Sequence, residues 1–180
     1  MRRLSSISSS FILSFLGLTL FTEAAIAQGR DSYVEQCLER DEAIVINACT
    51  TLIESGVESD RNLAVSHFHR GRAHFRNEDF DLAIQDFDQA IGFRPGFLNA
   101  FFQRGDVYLA TEQYGLALQD YDEVLRLDPT DAIAFKYRGD VYLAQGNSER
   151  AIQDYDEALR LDPDDEAEAA DARARAASMQ

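Results

Sequence analysis

Glycine and proline recur along this chain with a single period. Gly71, Gly105 and Gly139 stand 34 residues apart, and so do Pro95, Pro129 and Pro163. A shared period of this length marks a small supersecondary unit copied along the chain and stacked on its neighbours. The residues between the marks repeat as well. The second unit runs Phe101, Arg104-Gly105-Asp106-Val107-Tyr108, Ala117, Tyr121, Leu127-Asp128-Pro129. The third runs Phe135, Arg138-Gly139-Asp140-Val141-Tyr142, Ala151, Tyr155, Leu161-Asp162-Pro163. The first diverges more: His67, Arg70-Gly71, His74, Ala83, Phe87, Ala90 and Pro95.

Each unit reads as two helices joined by a turn. Helix A sets large residues seven positions apart on one face, Phe101 with Tyr108 and Phe135 with Tyr142. The glycine inside helix A costs about 1 kcal/mol relative to alanine. It is tolerable where it lets helix B approach closely. Helix B offers a small residue and then an aromatic four positions on, Ala117 with Tyr121 and Ala151 with Tyr155. Proline then ends the unit, because it cannot extend the helix. Gln145-Gly146-Asn147-Ser148 shows the turn within a unit most clearly.

In this pattern residues 64–165 resemble three tetratricopeptide repeats, matching that family's glycine, tyrosine, alanine, aromatic and proline positions. The departures are His67 where the family often has tryptophan, His74 for tyrosine, and Val124 for the second small residue. The upstream stretch from Cys37 to Gly56 resembles the segment preceding the repeats in secreted or periplasmic members from bacteria. The resemblance implies an all-α fold, a right-handed α-solenoid with an N-terminal helical segment and a C-terminal capping helix. The expected layout is a signal peptide over 1–27, a helical cap with the cysteine pair over 28–63, and repeats over 64–97, 98–131 and 132–165. A capping helix and tail cover 166–180, with Ala169, Ala172 and Ala176 as its apolar stripe.

The signal peptide is read from Arg2-Arg3, an apolar run from Phe11 to Phe21, and Ala25-Ile26-Ala27 before a cleavage point at Gln28. The run is too short to span a membrane, which takes about 20 apolar residues. The predicted location is periplasmic or secreted, with no stable membrane anchor after cleavage. The formal charge is −15, and loss of Arg2, Arg3 and Glu23 moves it to about −16. Nucleic acid and anionic lipid are poor partners for such a chain. A basic protein or peptide suits it, as does plain solvation of a helical surface.

Cys37 and Cys49 both fall in the exported part. In one straight helix their α-carbons would lie about 18 Å apart, against roughly 4.4–6.8 Å for a disulfide. A bridge therefore needs a turn, placed at Glu39-Arg40-Asp41, with Asp41 capping a helix from Glu42 to about Glu54. Two free thiols remain the other reading. A redox role is disfavoured, because the pair lacks the C-x-x-C spacing.

Family resemblance places the A helices along a concave groove for a peptide or partner protein. The groove positions are Phe68, Arg72, Phe75 and Arg76 in the first unit, Phe102, Gln103 and Asp106 in the second, and Lys136, Tyr137 and Asp140 in the third. Aromatic and arginine side chains are the usual energetic centres of interfaces. The carboxylate clamp of some family members is missing, since its positions hold Phe68, Arg72, Gln103, Ile133 and Tyr137. The acidic pairs Asp86/Asp88, Asp120/Asp122 and Asp154/Asp156 diverge on helix B and read as a solvated convex face. His67, His69 and His74 make a poor metal site; His67 and His74 read as packing residues. No phosphate loop, H-E-x-x-H or nucleophile elbow occurs, so neither catalysis, cofactor nor metal is expected. The predicted role is an envelope adaptor binding a protein or peptide, with structural self-association, possible as a homo-oligomer, as the alternative.

Overall fold

The computed structural model describes residues 29–163 and 166–179, with the backbone alone at 166–169. The expected signal peptide and its cleavage point lie outside the described residues. Helix α1 covers 29–37, and α2 is Glu42–Glu54. Three helix pairs follow: α3 (Asp60–Arg76) with α4 (Phe80–Phe93), α5 (Leu98–Ala110) with α6 (Tyr114–Leu127), and α7 (Ala132–Ala144) with α8 (Ser148–Leu161). Helix α9, Glu166–Ser178, closes the array. Each helix from α2 onward packs on the next, and α3 also touches α5, as α7 does α9. This is an all-α repeat solenoid, and no described helix is long and apolar enough to cross a membrane.

Glycine does something more specific than admit a backbone. A β-carbon on Gly71 would sit 3.0 Å from the Phe87 ring, one on Gly105 3.0 Å from Tyr121, and one on Gly139 2.8 Å from Tyr155. The helix B aromatic lies flush against helix A at each glycine, and all three rings are fully buried. Ala83, Ala117 and Ala151, one turn earlier, are fully buried too. Between units, Val124 packs with Leu125 and Ala134 against Leu98, Phe101, Phe102 and Phe135. The larger residue at that position is therefore absorbed at the joint between α6 and α7.

The cap is tied covalently. Cys37 and Cys49 form a disulfide with α-carbons 5.0 Å apart. The chain turns through residues 38–40, and the Asp41 side chain accepts from the Ile44 amide to start α2. Val45, Ala48, Cys49 and Leu52 then pack under Ala73 of α3. At the other end Ala172 and Ala176 of α9 bury against Ala151 and Tyr155, while the Ala169 side chain lies outside the described residues. Helix α3 begins at Asp60, ahead of the repeat start expected at residue 64. Ser59 caps it, its hydroxyl accepting from the Asn62 amide at 3.3 Å.

Candidate functional site

The acidic pairs are a solvated face in their second members alone: Asp88, Asp122 and Asp156 are exposed, but Asp86, Asp120 and Asp154 are not. Within each unit an arginine before the glycine of helix A grips the first aspartate of the helix B pair with two bonds. Arg70 holds Asp86 at 2.9 and 2.8 Å, Arg104 holds Asp120 at 2.9 and 2.6 Å, and Arg138 holds Asp154 at 2.8 and 2.7 Å. All three aspartates are buried. The third donor of each arginine reaches back to the preceding helix: Arg138 bonds Asp122 at 2.7 Å, Arg104 bonds Asp88, and Arg70 bonds the Thr50 hydroxyl at 2.9 Å. Arg173 of α9 closes the series on Asp156. The side chains of each pair do diverge, and that divergence lets one carboxylate serve its own unit and the other the next. Fork-shaped guanidinium suits both tasks.

The helix A faces of the second and third units carry a second motif. Tyr121 donates its hydroxyl to Asp106 at 2.7 Å, and Tyr155 donates to Asp140 at 2.7 Å. Gln103 also donates to Asp106, at 2.9 Å. Burial pushes the Asp106 carboxyl up to about 6, with the Tyr121 bond pulling the other way. Burial and the neighbouring Asp106 raise the Tyr121 phenol far above its ordinary value.

In the first unit the same positions hold Arg72 and Phe87. Phe87 has no hydroxyl to offer, and Arg72 has no carboxylate partner among the described residues. Its guanidinium lies 5.7 Å from the Phe68 ring centre. Burial and then Arg76 lower the Arg72 pKa. Burial, Arg72 and Arg76, in that order, lower His69. Arg76 approaches Glu42 at 3.4 Å.

The expected groove residues divide between packing and exposure. Phe68 is buried, with its ring 6.1 Å from Phe87 and 5.0 Å from Phe97. Phe102 and Tyr137 are half-buried and meet edge to face at 5.1 Å, an arrangement that couples the second and third units. Phe75 packs on Phe80. The Lys136 ammonium lies 5.4 Å from the Tyr137 ring centre. Between α3 and α5 lies a furrow of about 190 Å³ lined by Phe68, Arg72, Asn99, Phe102 and Gln103. A larger pocket of about 490 Å³ opens between the cap and α3, and Arg72 lines it too. The segment after Cys37 supplies one wall of this pocket, and reading helix A alone misses it.

The histidines do not converge on a metal, and no group of three or more potential ligands is arranged for one among the described residues. His67 stacks on Phe93 and places Nδ1 2.8 Å from Asp86. Burial works against the Asp86 carboxylate, but the His67 and Arg70 bonds outweigh it and hold its pKa below the usual value. An ionised carboxylate only accepts, so His67 donates from Nδ1.

A family model described as tetratricopeptide repeat matches residues 60–96 and 102–166. Among solved structures, MamA 41-end from Desulfovibrio magneticus RS-1 is similar at 23% identity, over 85% of this chain and 94% of that one, with a TM-score of 0.66. A crystal structure of MamA matches at 19% identity over 74% of each chain, TM-score 0.64. The first tetratricopeptide domain of Spaghetti (RPAP3), bound to an HSP90 peptide, matches at 22% identity over 68% of this chain and 97% of that one, TM-score 0.63. At these identities the likeness is one of fold. No curated protein matches the sequence.

Proposed function

The chain belongs to the tetratricopeptide-repeat family, and we propose that it is a non-catalytic adaptor of the cell envelope that holds an extended peptide segment of a partner protein along its A helices. The observation that carries this reading is the furrow between α3 and α5. Only helix A residues line it, and one of them, Arg72, also lines the larger pocket. Asn99 is exposed at its edge, while Phe102 offers a half-buried aromatic floor that an incoming side chain covers without moving the core. A solved relative carries a bound peptide, which makes the mode available to the fold. The clamp positions differ here, so a clamp-type grip on a C-terminal carboxylate is not proposed. Export rests on the N-terminal sequence and suits the cysteine pair, because disulfides persist in oxidising compartments. A basic stretch of the partner fits the acidic side of the groove, where Asp106 and Asp140 lie.

Photo-crosslinking tests this directly. A photoreactive residue replacing Asn99 should capture a partner in an envelope extract, and one replacing Leu116, exposed on helix B, should not. Equal capture from both positions sinks the groove. One observation favours the alternative of self-association: Tyr33, Val34, Leu38 and Val57 expose apolar surface on the cap. Light scattering of the purified chain decides it, since a stable oligomer that disappears with Val57→Ser places the interface there instead.

A further inference from the structure

The groove is not uniform in charge, and its first unit is the exception in a chain of formal charge −15. The pocket between cap and α3 gathers Arg40, His69, Arg72 and Arg76 against two carboxylates, Glu39 and Glu42. Arg76 approaches Glu42, but Arg40 and Arg72 have no carboxylate partner among the described residues. The equivalents of Arg72 and Arg76 in the second unit are Asp106 and Ala110, and in the third Asp140 and Ala144. At these two positions positive charge is thus specific to unit one. We infer that this pocket docks acidic side chains within an extended peptide, with Arg72 as the central contact and a neighbouring apolar residue of the same peptide laid in the furrow on Phe102.

Three further observations support that occupant. Phe87 leaves position 72 free of the bond that Tyr121 and Tyr155 impose on Asp106 and Asp140, so Arg72 is held by a ring face and stays available to a ligand. Burial, and then Arg76, lower the Arg72 pKa, so a carboxylate entering the pocket returns charge stabilisation that this guanidinium lacks. The Cys37–Cys49 bridge ties down the Leu38–Arg40 wall, so the site is built before the ligand arrives. A carboxylate side chain fits better than a phosphate polymer, because Glu39, Glu42 and the acidic chain as a whole repel dense negative charge. An apolar furrow adjoining the pocket also suits peptide.

This inference rests on the groove reading, and its test separates the two. The probe is a fluorescein-labelled peptide of alternating Glu and Leu with an amidated C-terminus, with Gln in place of Glu as control. Fluorescence anisotropy with the disulfide-bonded chain at low salt should show the Glu peptide binding at least about tenfold tighter than the Gln peptide. Arg72→Gln should remove most of that preference. Arg126→Gln, which changes an exposed arginine paired with Glu123, should leave it intact. The double variant Arg72→Asp with Phe87→Tyr gives unit one the pair found in the other two, and should stay folded by circular dichroism while losing the preference. Equal binding of the two peptides, no effect of Arg72→Gln, or a requirement for a free C-terminal carboxylate overturns the inference. So does displacement of the peptide by inorganic phosphate at equal concentration, which would mean a simple anion site. If crosslinking through Asn99 persists while the Glu preference is absent, only the acidic docking fails and the groove stands.

Discussion

The first and second units keep one ring in one place and reverse the charge above it. Phe87 and Tyr121 occupy equivalent positions, each fully buried against a glycine of helix A. Above them stand Arg72 and Asp106, of opposite sign. The hydroxyl is present in the second unit, where a carboxylate accepts it, and absent in the first, where an arginine has no use for it. Packing at the crossing and charge on the groove are therefore separable, since the ring satisfies the first and its oxygen answers the second. A similar exchange occurs deeper. His67 donates to Asp86 in unit one, whereas its equivalent Phe101 lies 5.6 Å from the Arg104 guanidinium. The extra donor keeps the Asp86 carboxyl low. Asp120 lacks it, and burial, which Arg104 only partly offsets, leaves its carboxyl raised. Burial also works against the Arg104 guanidinium, but Asp120 and Asp88 outweigh it and hold its proton more firmly. Those two directions conflict for one pair. The guanidinium decides, because it does not titrate in proteins and keeps the pair ionised at neutral pH.

The largest effect expected from breaking this comparison is on the arginine grip. Asp120→Ala removes the two buried bonds of the Arg104 guanidinium, leaving it on the exposed Asp88, and should cost about 2–3 kcal/mol in urea unfolding at neutral pH. Asp86→Ala should cost at least as much, since it also orphans His67. A loss below about 1 kcal/mol for Asp120→Ala would mean the pair behaves like a surface bridge.

A pH series sharpens the charge reversal. The Asp106 carboxyl titrates at about 6 in the folded chain, against an ordinary value near 4. Between those values the folded state holds a proton that the unfolded chain has lost. Stability from this group is therefore full below about pH 4 and declines as pH rises to about 6, by up to about 3 kcal/mol. Asp86 acts in the opposite sense: its contribution is present above the ordinary carboxylate value and is lost as pH falls through its lowered one. Asp106→Asn should flatten the decline toward pH 6 while leaving the acid limb. An unchanged profile assigns that decline to other groups.

The smallest effect lies in the turns. Glu78 and Glu112 take positive φ, 64° and 59°, at the position where the third unit has Gly146 at 76°. A side chain in that region is strained, and glycine is not. Glu112→Gly should stabilise by up to about 1 kcal/mol, read as a rise in Tm, and Gly146→Glu should reverse it. A fall in Tm for Glu112→Gly would show that the flexibility glycine adds to the unfolded chain outweighs the relieved strain.

Much of the fold was legible from residue types alone. The glycine and proline register located the three helix pairs, and the Asp41 cap and the turn before it follow from the geometry two cysteines need. The start of α3 was missed, although Ser59 followed by Asn62 is a readable cap signal. The candidate site was less legible. Phe68 has the composition of an anchor, yet it packs inside the first joint because α4 and Phe97 close over it. The basic pocket stayed hidden because its two walls come from segments that the repeat period does not relate.

By itself, then, the sequence determined the number of units, their register and the chemistry available at each position. Those follow from local requirements: a small residue at a crossing, a ring beside it, a proline after it. Only the tertiary structure decided which charges meet. Arg104 has an aspartate 16 residues before it and another 16 residues after it, and it binds both. Spacing along the chain treats those two alike and says nothing of whether either is near. Pairing the helices of a unit brings in the buried aspartate, and stacking one pair on the next brings in the exposed one. The first pins a unit, and the second pins the joint between repeats.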